Sequence, residues 1–270
     1  MSRATSSARG GAGGGSAGAP AANASTRTRG PRPAKGYFAR SELPLVSLAF
    51  LLPFIVLYEI GTWQFASDPV RQTEQRIIAF NLMQDFFRFF GATGRYLPAL
   101  AVGLILICWH VARQDPWRVE PRYLLGMLGE SLVLALPLLG IGFVATHYLD
   151  HYLPLMAAKR TAGLVVLSVG AGIYEELVFR LIAFTVLSFI FVDLMGLKRG
   201  WAGLLMVVFS SLLFSLYHYL GPEQFDLRTF AFRTAAGSYF GAVFIFRGFG
   251  ITAGTHAAYD ICIVGLRALV

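Results

Sequence analysis

The feature that most constrains this chain is a series of long apolar runs. The run from Leu43 to Trp63 reads LPLVSLAFLLPFIVLYEIGTW, which is long enough as a helix to cross a hydrocarbon core of about 30 Å. The chain is 56% hydrophobic and only 14% charged, whereas an ordinary soluble domain has about 25% charged residues. Further runs follow at about 96–112, 123–148, 161–196, 202–220, 229–247 and 250–270. The sequence therefore predicts an all-α, polytopic transmembrane helical bundle.

The run at 161–196 is too long for a single upright span. As one straight helix it would measure about 54 Å, so we expect it to be kinked, strongly tilted or divided into two helices. Because of this ambiguity, the sequence predicts seven or eight spans. The segment from about 64 to 95 mixes the charged residues Arg76, Asp85 and Arg88 with the apolar letters IIAF and FFRFF. This pattern predicts an amphipathic helix that lies in the membrane interface.

The first 36 residues have a different composition from the rest of the chain. They consist mainly of Gly, Ala, Ser, Thr, Pro and Arg, and such a segment cannot bury enough apolar surface to offset its ordering entropy, so we expect a disordered tail. Seven of the 23 Lys and Arg residues precede Glu42, the first acidic residue. The series of spans predicts a multi-pass protein of the cell membrane. The positive charge next to the first span predicts that its N-terminus is cytoplasmic.

The excess of basic residues does not indicate a nucleic-acid-binding protein. The net charge is +8, but most of that excess lies in the tail and not on a folded face with interleaved aromatic residues. Cys108 and Cys262 are far apart, each within an apolar run, so neither a disulfide framework nor a cysteine-based metal site is indicated. We expect the bilayer to be the main partner of this chain and expect no nucleic acid partner.

Three groups of polar residues lie inside the apolar runs, where a central charge costs about 2.5–3.5 kcal/mol. The first group is Glu175, Glu176 and Arg180 in GAGIYEELVFRLIAF. Glu176 and Arg180 are four residues apart and share a helix face, so they are expected to pair, while Glu175 is rotated by about 100°. Glu175 is therefore available as a general base. The alternative is a buried ion pair with a spare protonated glutamate that ties helices together.

The other two groups each contain a histidine. Phe214 and His218 are four residues apart in SSLLFSLYHYLG, and His256 and Asp260 have the same spacing in GTHAAYDICIV. Each histidine has a purely structural interpretation as a hydrogen-bonded packing residue. Together the three groups favour a shared site in which a glutamate and a histidine activate water, while the other histidine and the aspartate stabilise an oxyanion. The same residue types also suit zinc.

Other intramembrane residues have simpler interpretations. Glu59 and Glu130 either line the same cavity or take part in snorkelling or interhelical hydrogen bonds. Gly237 and Gly241 form a GxxxG pattern that predicts a close helix contact. The HExxH helix of zinc proteases, the GxSxG elbow of serine hydrolases and the GxGD run of aspartyl intramembrane proteases do not occur in the sequence.

The polar groups resemble the motifs of a known family. EELVFR at 175–180, FSLYH at 214–218 and HAAYD at 256–260 are similar to the EExxxR, FxxxH and HxxxN/D motifs of the CAAX prenyl endopeptidases and bacteriocin-processing enzymes (CPBP). The resemblance covers roughly residues 161–265 and implies an all-helical membrane peptidase. Family members are described both as intramembrane metalloproteases and as glutamate enzymes that work without a metal.

The resemblance also implies a role for each motif residue. Glu175 would activate the water and His218 would help to hold it, while His256 and Asp260 would stabilise the oxyanion. Glu176 and Arg180 would support the local frame, and Phe214 would pack beside the site. Asp260 departs from the Asn of enzymes that cut prenylated eukaryotic tails. It would have to be protonated, be paired with a His256 imidazolium, or serve another role such as a metal ligand.

The sequence thus predicts three parts: the tail at 1–36, N-terminal transmembrane helices with the interfacial segment at 37–160, and a catalytic core at 161–270. The expected activity is endoproteolysis of a membrane-associated protein or peptide, in its membrane-proximal or its C-terminal part, by glutamate-activated water. Zinc is left open as a cofactor, with Glu175, His218, His256 and Asp260 as its candidate ligands. The alternative is a non-enzymatic immunity, maturation or scaffold protein of the same fold.

Overall fold

The computed structural model describes the chain at 36–65, 67–68, 73–74, 76–147, 158–221 and 223–269. The predicted tail, 1–36, lies outside these residues except for Gly36. The helices are α1 (Tyr37–Ser41), α2 (Pro44–Phe65), α3 (Ile78–Phe89), α4 (Leu97–Arg113), α5 (Pro121–His147), α6 (Ala158–Glu176), α7 (Ala183–Ser188), α8 (Arg199–Tyr217) and α9 (Leu227–Leu269). Two short strands, β1 (Ser67–Asp68) and β2 (Thr73–Glu74), pair antiparallel with Ser67 opposite Glu74. The described chain is therefore helical apart from this small hairpin.

Five described helical stretches are long and apolar enough to cross a membrane. They are Pro44–Phe65, Pro121–Gly142, Thr161–Leu194, Arg199–Leu220 and Leu227–Leu266. Large apolar side chains are exposed on their outer faces, for example Leu125 and Leu204, and such a surface is stable only against lipid or another protein. The predicted span at 96–112 corresponds to α4, which has 17 residues and measures about 26 Å. Five long stretches are fewer than the seven or eight predicted spans.

Part of that difference comes from α9, which contains two predicted spans. Gly248 within it has φ 73° and ψ −178°, and the rings of Phe240 and His256 stack with centroids 4.4 Å apart. In a straight helix, residues 16 positions apart would be separated by about 24 Å. The chain therefore reverses at Gly248, and we call 227–247 the first arm and 249–269 the second arm. The predicted spans 229–247 and 250–270 are these two arms.

The long run at 161–196 is not divided into two separate helices. It continues from α6 through a π-helical segment, Leu177–Ile182, into α7 and a second π-helical segment, Phe189–Leu194. A π-helical turn disturbs the regular backbone hydrogen bonds of the helix. The hydroxyl of Ser210 on α8 donates a 2.6 Å hydrogen bond to the Phe179 carbonyl within the first such turn. The widened turn begins directly after Glu175 and Glu176.

The predicted interfacial segment contains an amphipathic helix, α3. Its residues Ala79, Phe80 and Met83 are buried, whereas Phe86 and Phe89 are largely exposed. The Phe80 ring packs edge-on against Tyr174 of α6, with ring centroids 5.0 Å apart. Its buried face therefore attaches α3 to the helix that carries Glu175.

Close glycine contacts bring both arms of α9 against their neighbours. A Cβ on Gly172 of α6 would lie 2.5 Å from the carbonyl oxygen of Ala253 in the second arm. A Cβ on Gly237 would lie 3.2 Å from Ser211 of α8. The close helix contact predicted from the GxxxG pattern is confirmed, and α9 is held between α6 and α8.

Glu59 and Glu130 each pair with an arginine from another segment of the chain. Glu59 pairs with Arg76 at 2.9 Å and accepts a 3.3 Å hydrogen bond from Tyr174. Glu130 on α5 accepts two hydrogen bonds from Arg247, which is the last residue before the reversal of α9. Of the two interpretations left open by the sequence, the structure therefore favours interhelical bonding.

Candidate active site

A cavity of about 390 Å³ lies between α6, α8 and the two arms of α9. Five of the predicted site residues line it: Glu175, Phe214, His218, His256 and Asp260. The remaining two, Glu176 and Arg180, are fully buried and are not among its lining residues. The three polar groups identified in the sequence, which are up to 85 residues apart, therefore meet at one place.

Glu175 projects from the end of α6 with its two carboxylate oxygens in different surroundings. Its Oε1 accepts a 2.8 Å hydrogen bond from the hydroxyl of Tyr217. Its Oε2 lies 4.0 Å from Nε2 of His218 and 3.8 Å from Nε2 of His256. One oxygen is thus fixed by a protein donor, and the other faces both imidazoles.

His218 directly follows α8 and begins a short 3₁₀ helix, His218–Leu220. Its Nδ1 lies 2.7 Å from the backbone carbonyl oxygen of Phe214. Because a carbonyl oxygen can only accept, Nδ1 carries the proton and donates it. In the neutral ring, Nε2 is then an acceptor directed toward Glu175. This arrangement also explains the four-residue spacing of Phe214 and His218, since the carbonyl one turn earlier orients the ring.

His256 is held from three directions. Its Nδ1 donates to Oε1 of Glu176 at 2.8 Å, and its ring stacks on Phe240 with 16° between the planes. Its Nε2 lies 3.6 Å from Oδ2 of Asp260. Carboxylate oxygens therefore face both ring nitrogens, so a doubly protonated ring can donate in both directions. The shortest of these contacts is with Glu176, not with the predicted partner Asp260.

Arg180 forms the support behind His256. Its Nε lies 3.2 Å from Oε2 of Glu176, and its Nη2 donates a 3.0 Å hydrogen bond to the carbonyl oxygen of Gly237. The guanidinium also lies over the Phe214 ring, 4.9 Å from its centroid, where a cation is attracted by the ring face. The predicted pairing of Glu176 with Arg180 is present, and the same carboxylate also orients His256.

The match with known protein families falls on this part of the chain. Residues 157–262 match a family model described as type II CAAX prenyl endopeptidase Rce1-like. These residues form an Rce1-like domain. No curated protein and no solved structure matches the chain. The Rce1-like domain contains all seven predicted site residues, and the resemblance inferred from the three motifs is confirmed.

Two residues of the Rce1-like domain that contact the site were not identified from the sequence. Tyr217 bonds to Glu175, and Phe240 supports His256. Tyr217 immediately precedes His218, but neighbouring helix positions point about 100° apart, so sequence spacing gave no reason to select it. Phe240 lies in an apolar run with several other phenylalanines, and nothing in the sequence distinguishes it from them. Only the reversal at Gly248 brings Phe240 into contact with His256.

The side chains of the Rce1-like domain do not fit a bound metal ion. Within the described ranges, no group of three or more His, Cys, Asp and Glu side chains is arranged to hold one. The four candidate ligands are instead engaged with one another and with their supports. We therefore derive no catalytic step through zinc.

Proposed function

We propose that this protein is an intramembrane endopeptidase that hydrolyses a peptide bond by glutamate-activated water. One observation carries the proposal: Oε2 of Glu175 lies within 4.0 Å of Nε2 of both His218 and His256, beside a cavity within a helical membrane protein. The match of residues 157–262 with the Rce1-like family model supports the same chemistry. The expected substrate is a membrane-associated protein or peptide.

The first step is activation of a water molecule between Glu175 and His218. The 4.0 Å between Oε2 and Nε2 allows one water oxygen to lie about 2.8 Å from each atom. One O–H of this water donates a hydrogen bond to Nε2 of the neutral His218 ring. The other O–H donates a hydrogen bond to Oε2 of Glu175. As the water oxygen bonds to the substrate carbonyl carbon, Glu175 takes the proton, and the carbonyl oxygen becomes an oxyanion.

The second step is collapse of the tetrahedral intermediate. Nε2 of His256 can donate to the oxyanion while Nδ1 remains bonded to Glu176, which is the preorganised electrostatic support that such an intermediate needs. The proton on Glu175 then passes to the peptide nitrogen, the C–N bond breaks, and a carboxylic acid and an amine are formed. In this scheme Asp260 pairs with the imidazolium, so its carboxylate does not oppose the oxyanion.

The position of the cavity along α9 bears on where cleavage takes place. Arg247 pairs at 3.0 Å with Glu42, which lies between α1 and α2, whereas Arg233 lines the cavity. These two arginines are separated by about 21 Å along the first arm. We propose a cytoplasmic N-terminus from the basic residues before the first span, and on that orientation Arg233 belongs to the half of the membrane away from the cytoplasm. We propose that cleavage takes place there.

The test compares strains that produce the parent protein, Glu175→Ala or His218→Ala. We expect both variants to accumulate in the membrane and to leave one or more membrane-associated proteins uncut, which mass spectrometry detects as retained segments. Glu59→Gln is the matched control, because Glu59 is a partly buried intramembrane glutamate that pairs with Arg76 and does not line the cavity. We expect it to reduce stability while cleavage by the folded protein continues.

The alternative, a non-enzymatic immunity, maturation or scaffold protein, gives the opposite result. Glu175→Ala and His218→Ala would then lower the melting temperature in detergent as Glu59→Gln does, and no protein would keep an additional segment. Normal processing by Glu175→Ala would by itself overturn the proposed peptidase.

A further inference from the structure

A tyrosine that does not line the cavity holds Glu175 in place. Tyr217, the last residue of α8, donates a 2.8 Å hydrogen bond to Oε1 of Glu175. The same hydroxyl accepts a 3.2 Å hydrogen bond from the backbone N–H of Ala79. Tyr217 is 6% exposed, and its ring packs against Phe179 and His218 with centroids 4.9 and 4.7 Å away. The contact therefore joins α3, α8 and α6 at the proposed base.

We infer that Tyr217 is a positioning residue for Glu175 and that α3 fixes Tyr217 in turn. This inference rests on the proposed function, in which Glu175 is the base. The reacting oxygen in that scheme is Oε2, which faces His218 and His256 at 4.0 and 3.8 Å. Holding Oε1 determines the rotation of the carboxylate, and so determines where Oε2 points.

The hydrogen bond from α3 follows from the structure of a helix start. Ala79 is the second residue of α3, and the first N–H groups of a helix have no partner within the helix. Because Ala79 is fully buried, its N–H needs another acceptor, and the Tyr217 hydroxyl is that acceptor. The hydroxyl proton is then directed to the remaining partner, which is the carboxylate of Glu175.

The alternative explanation is that Tyr217 only packs the helices together. A packing role depends mainly on the ring, which Tyr217→Phe retains. A positioning role depends on the hydroxyl, which that substitution removes. The matched control is Tyr239→Phe, because the Tyr239 hydroxyl also bonds between helices, to the Leu134 carbonyl at 2.7 Å, but does not contact Glu175.

The kinetic experiment uses purified full-length protein in nanodiscs and a synthetic peptide that copies the cut region of a target found with Glu175→Ala. We expect Tyr217→Phe to lower kcat about 10-fold or more with KM unchanged, because small displacements of a reacting group have large effects on rate. Tyr239→Phe should leave both constants close to those of the parent. An unchanged kcat for Tyr217→Phe would overturn the inference while leaving Glu175 as the base.

An infrared measurement tests the same contact without turnover. The protein is labelled with ¹³C-carboxyl glutamate, and the band of Glu175 is identified as the one missing from Glu175→Gln. We expect this band to shift in Tyr217→Phe and to stay in place in Tyr239→Phe. An unmoved band in Tyr217→Phe would overturn the inference.

If Tyr217→Phe does not accumulate, 3-fluorotyrosine at position 217 replaces it in the experiment. It keeps the ring and the hydroxyl but changes the strength of the hydroxyl as a hydrogen-bond donor. The band must shift in that case too.

These results separate the two proposals. If Glu175→Ala leaves cleavage intact, the proposed function fails, whatever the infrared result shows. If Glu175→Ala stops cleavage but Tyr217→Phe changes neither kcat nor the Glu175 band, only the positioning role fails.

Discussion

The imidazole of His256 lies flat against the ring of Phe240, with 4.4 Å between centroids and 16° between planes. The two residues belong to opposite arms of α9, so the contact depends on the reversal at Gly248. The stacked face, together with the 2.8 Å bond from Nδ1 to Glu176, leaves Nε2 as the ring atom directed toward Glu175 and Asp260. A backbone turn remote from the cavity thus determines the orientation of a residue in the proposed active site.

Gly248→Ala is expected to destabilise the protein and to reduce cleavage. The backbone at Gly248, with φ 73° and ψ −178°, lies in a region that is almost exclusive to glycine, and forcing another residue into it costs about 1–3 kcal/mol. A Cβ there would lie 3.6 Å from Glu42, an ordinary contact, so the cost comes from the backbone and not from a clash. Chemical unfolding in detergent measures it.

The control for Gly248→Ala is Gly103→Ala. Gly103 lies within α4, and a Cβ there would have no atom within 4 Å. Alanine is a better helix former than glycine, so this variant should be at least as stable as the parent. Equal stabilities for the two variants would contradict a strained reversal at Gly248.

Glu176→Gln is expected to destabilise the protein by about 3–5 kcal/mol, because it leaves the buried guanidinium of Arg180 without its carboxylate. The double variant Glu176→Gln/Arg180→Met should be less destabilised than the sum of the two single variants, since the buried charge is removed together with its partner. The unfolding free energies of the parent, the two single variants and the double variant give this coupling.

Asp85→Asn is the control: it breaks an exposed pair with Arg88 and should change stability by less than about 1 kcal/mol. Additive effects at 176 and 180 would show that the pair is not coupled.

Chelation is expected to leave cleavage unchanged. The described side chains do not form a group of three or more metal ligands, and the proposed scheme uses Glu175 and His218 alone to activate water. Purified protein is dialysed against EDTA and 1,10-phenanthroline, and the peptide assay is repeated alongside elemental analysis. Loss of activity that zinc restores would contradict the scheme.

The cavity is expected to open away from the cytoplasm. Arg228, an exposed residue at the start of α9, and Arg118, an exposed residue between α4 and α5, provide matched positions near opposite ends of the spans. In a protein with Cys108→Ala and Cys262→Ala, Arg228→Cys should react with an impermeant maleimide on intact cells, whereas Arg118→Cys should react only after permeabilisation. The reverse pattern would place the proposed site on the cytoplasmic side.

Features that depend on local spacing were predictable from the sequence. The apolar runs predicted the helices, and the four-residue spacing of Glu176 and Arg180 predicted a pair now found at 3.2 Å. The same spacing placed His256 and Asp260 on one helix face, where Nε2 lies 3.6 Å from Oδ2. A spacing of four residues places two side chains on one face, but it does not show whether a third helix offers a closer partner. In this protein, Glu176 of α6 is that partner.

The number of spans was less predictable for a similar reason. Hydropathy identified the runs at 229–247 and 250–270, but only Gly248 distinguishes one long helix from two arms that lie side by side. A glycine within an apolar run is compatible with either arrangement. The contact of Phe240 with His256 shows which of them the chain adopts.

The sequence alone indicated a helical membrane protein with a region that resembles the CAAX prenyl endopeptidases, and it identified the residues that carry the polar chemistry. Apolar length and helical periodicity are properties of short segments, and three motifs in order are sufficient to indicate a family. The tertiary structure determined that Oε2 of Glu175 faces both histidines, that Glu176 holds His256, and that Tyr217 links α3 to Glu175. Those contacts join residues 42 to 138 positions apart, so they depend on how separate helices pack, which no local pattern specifies.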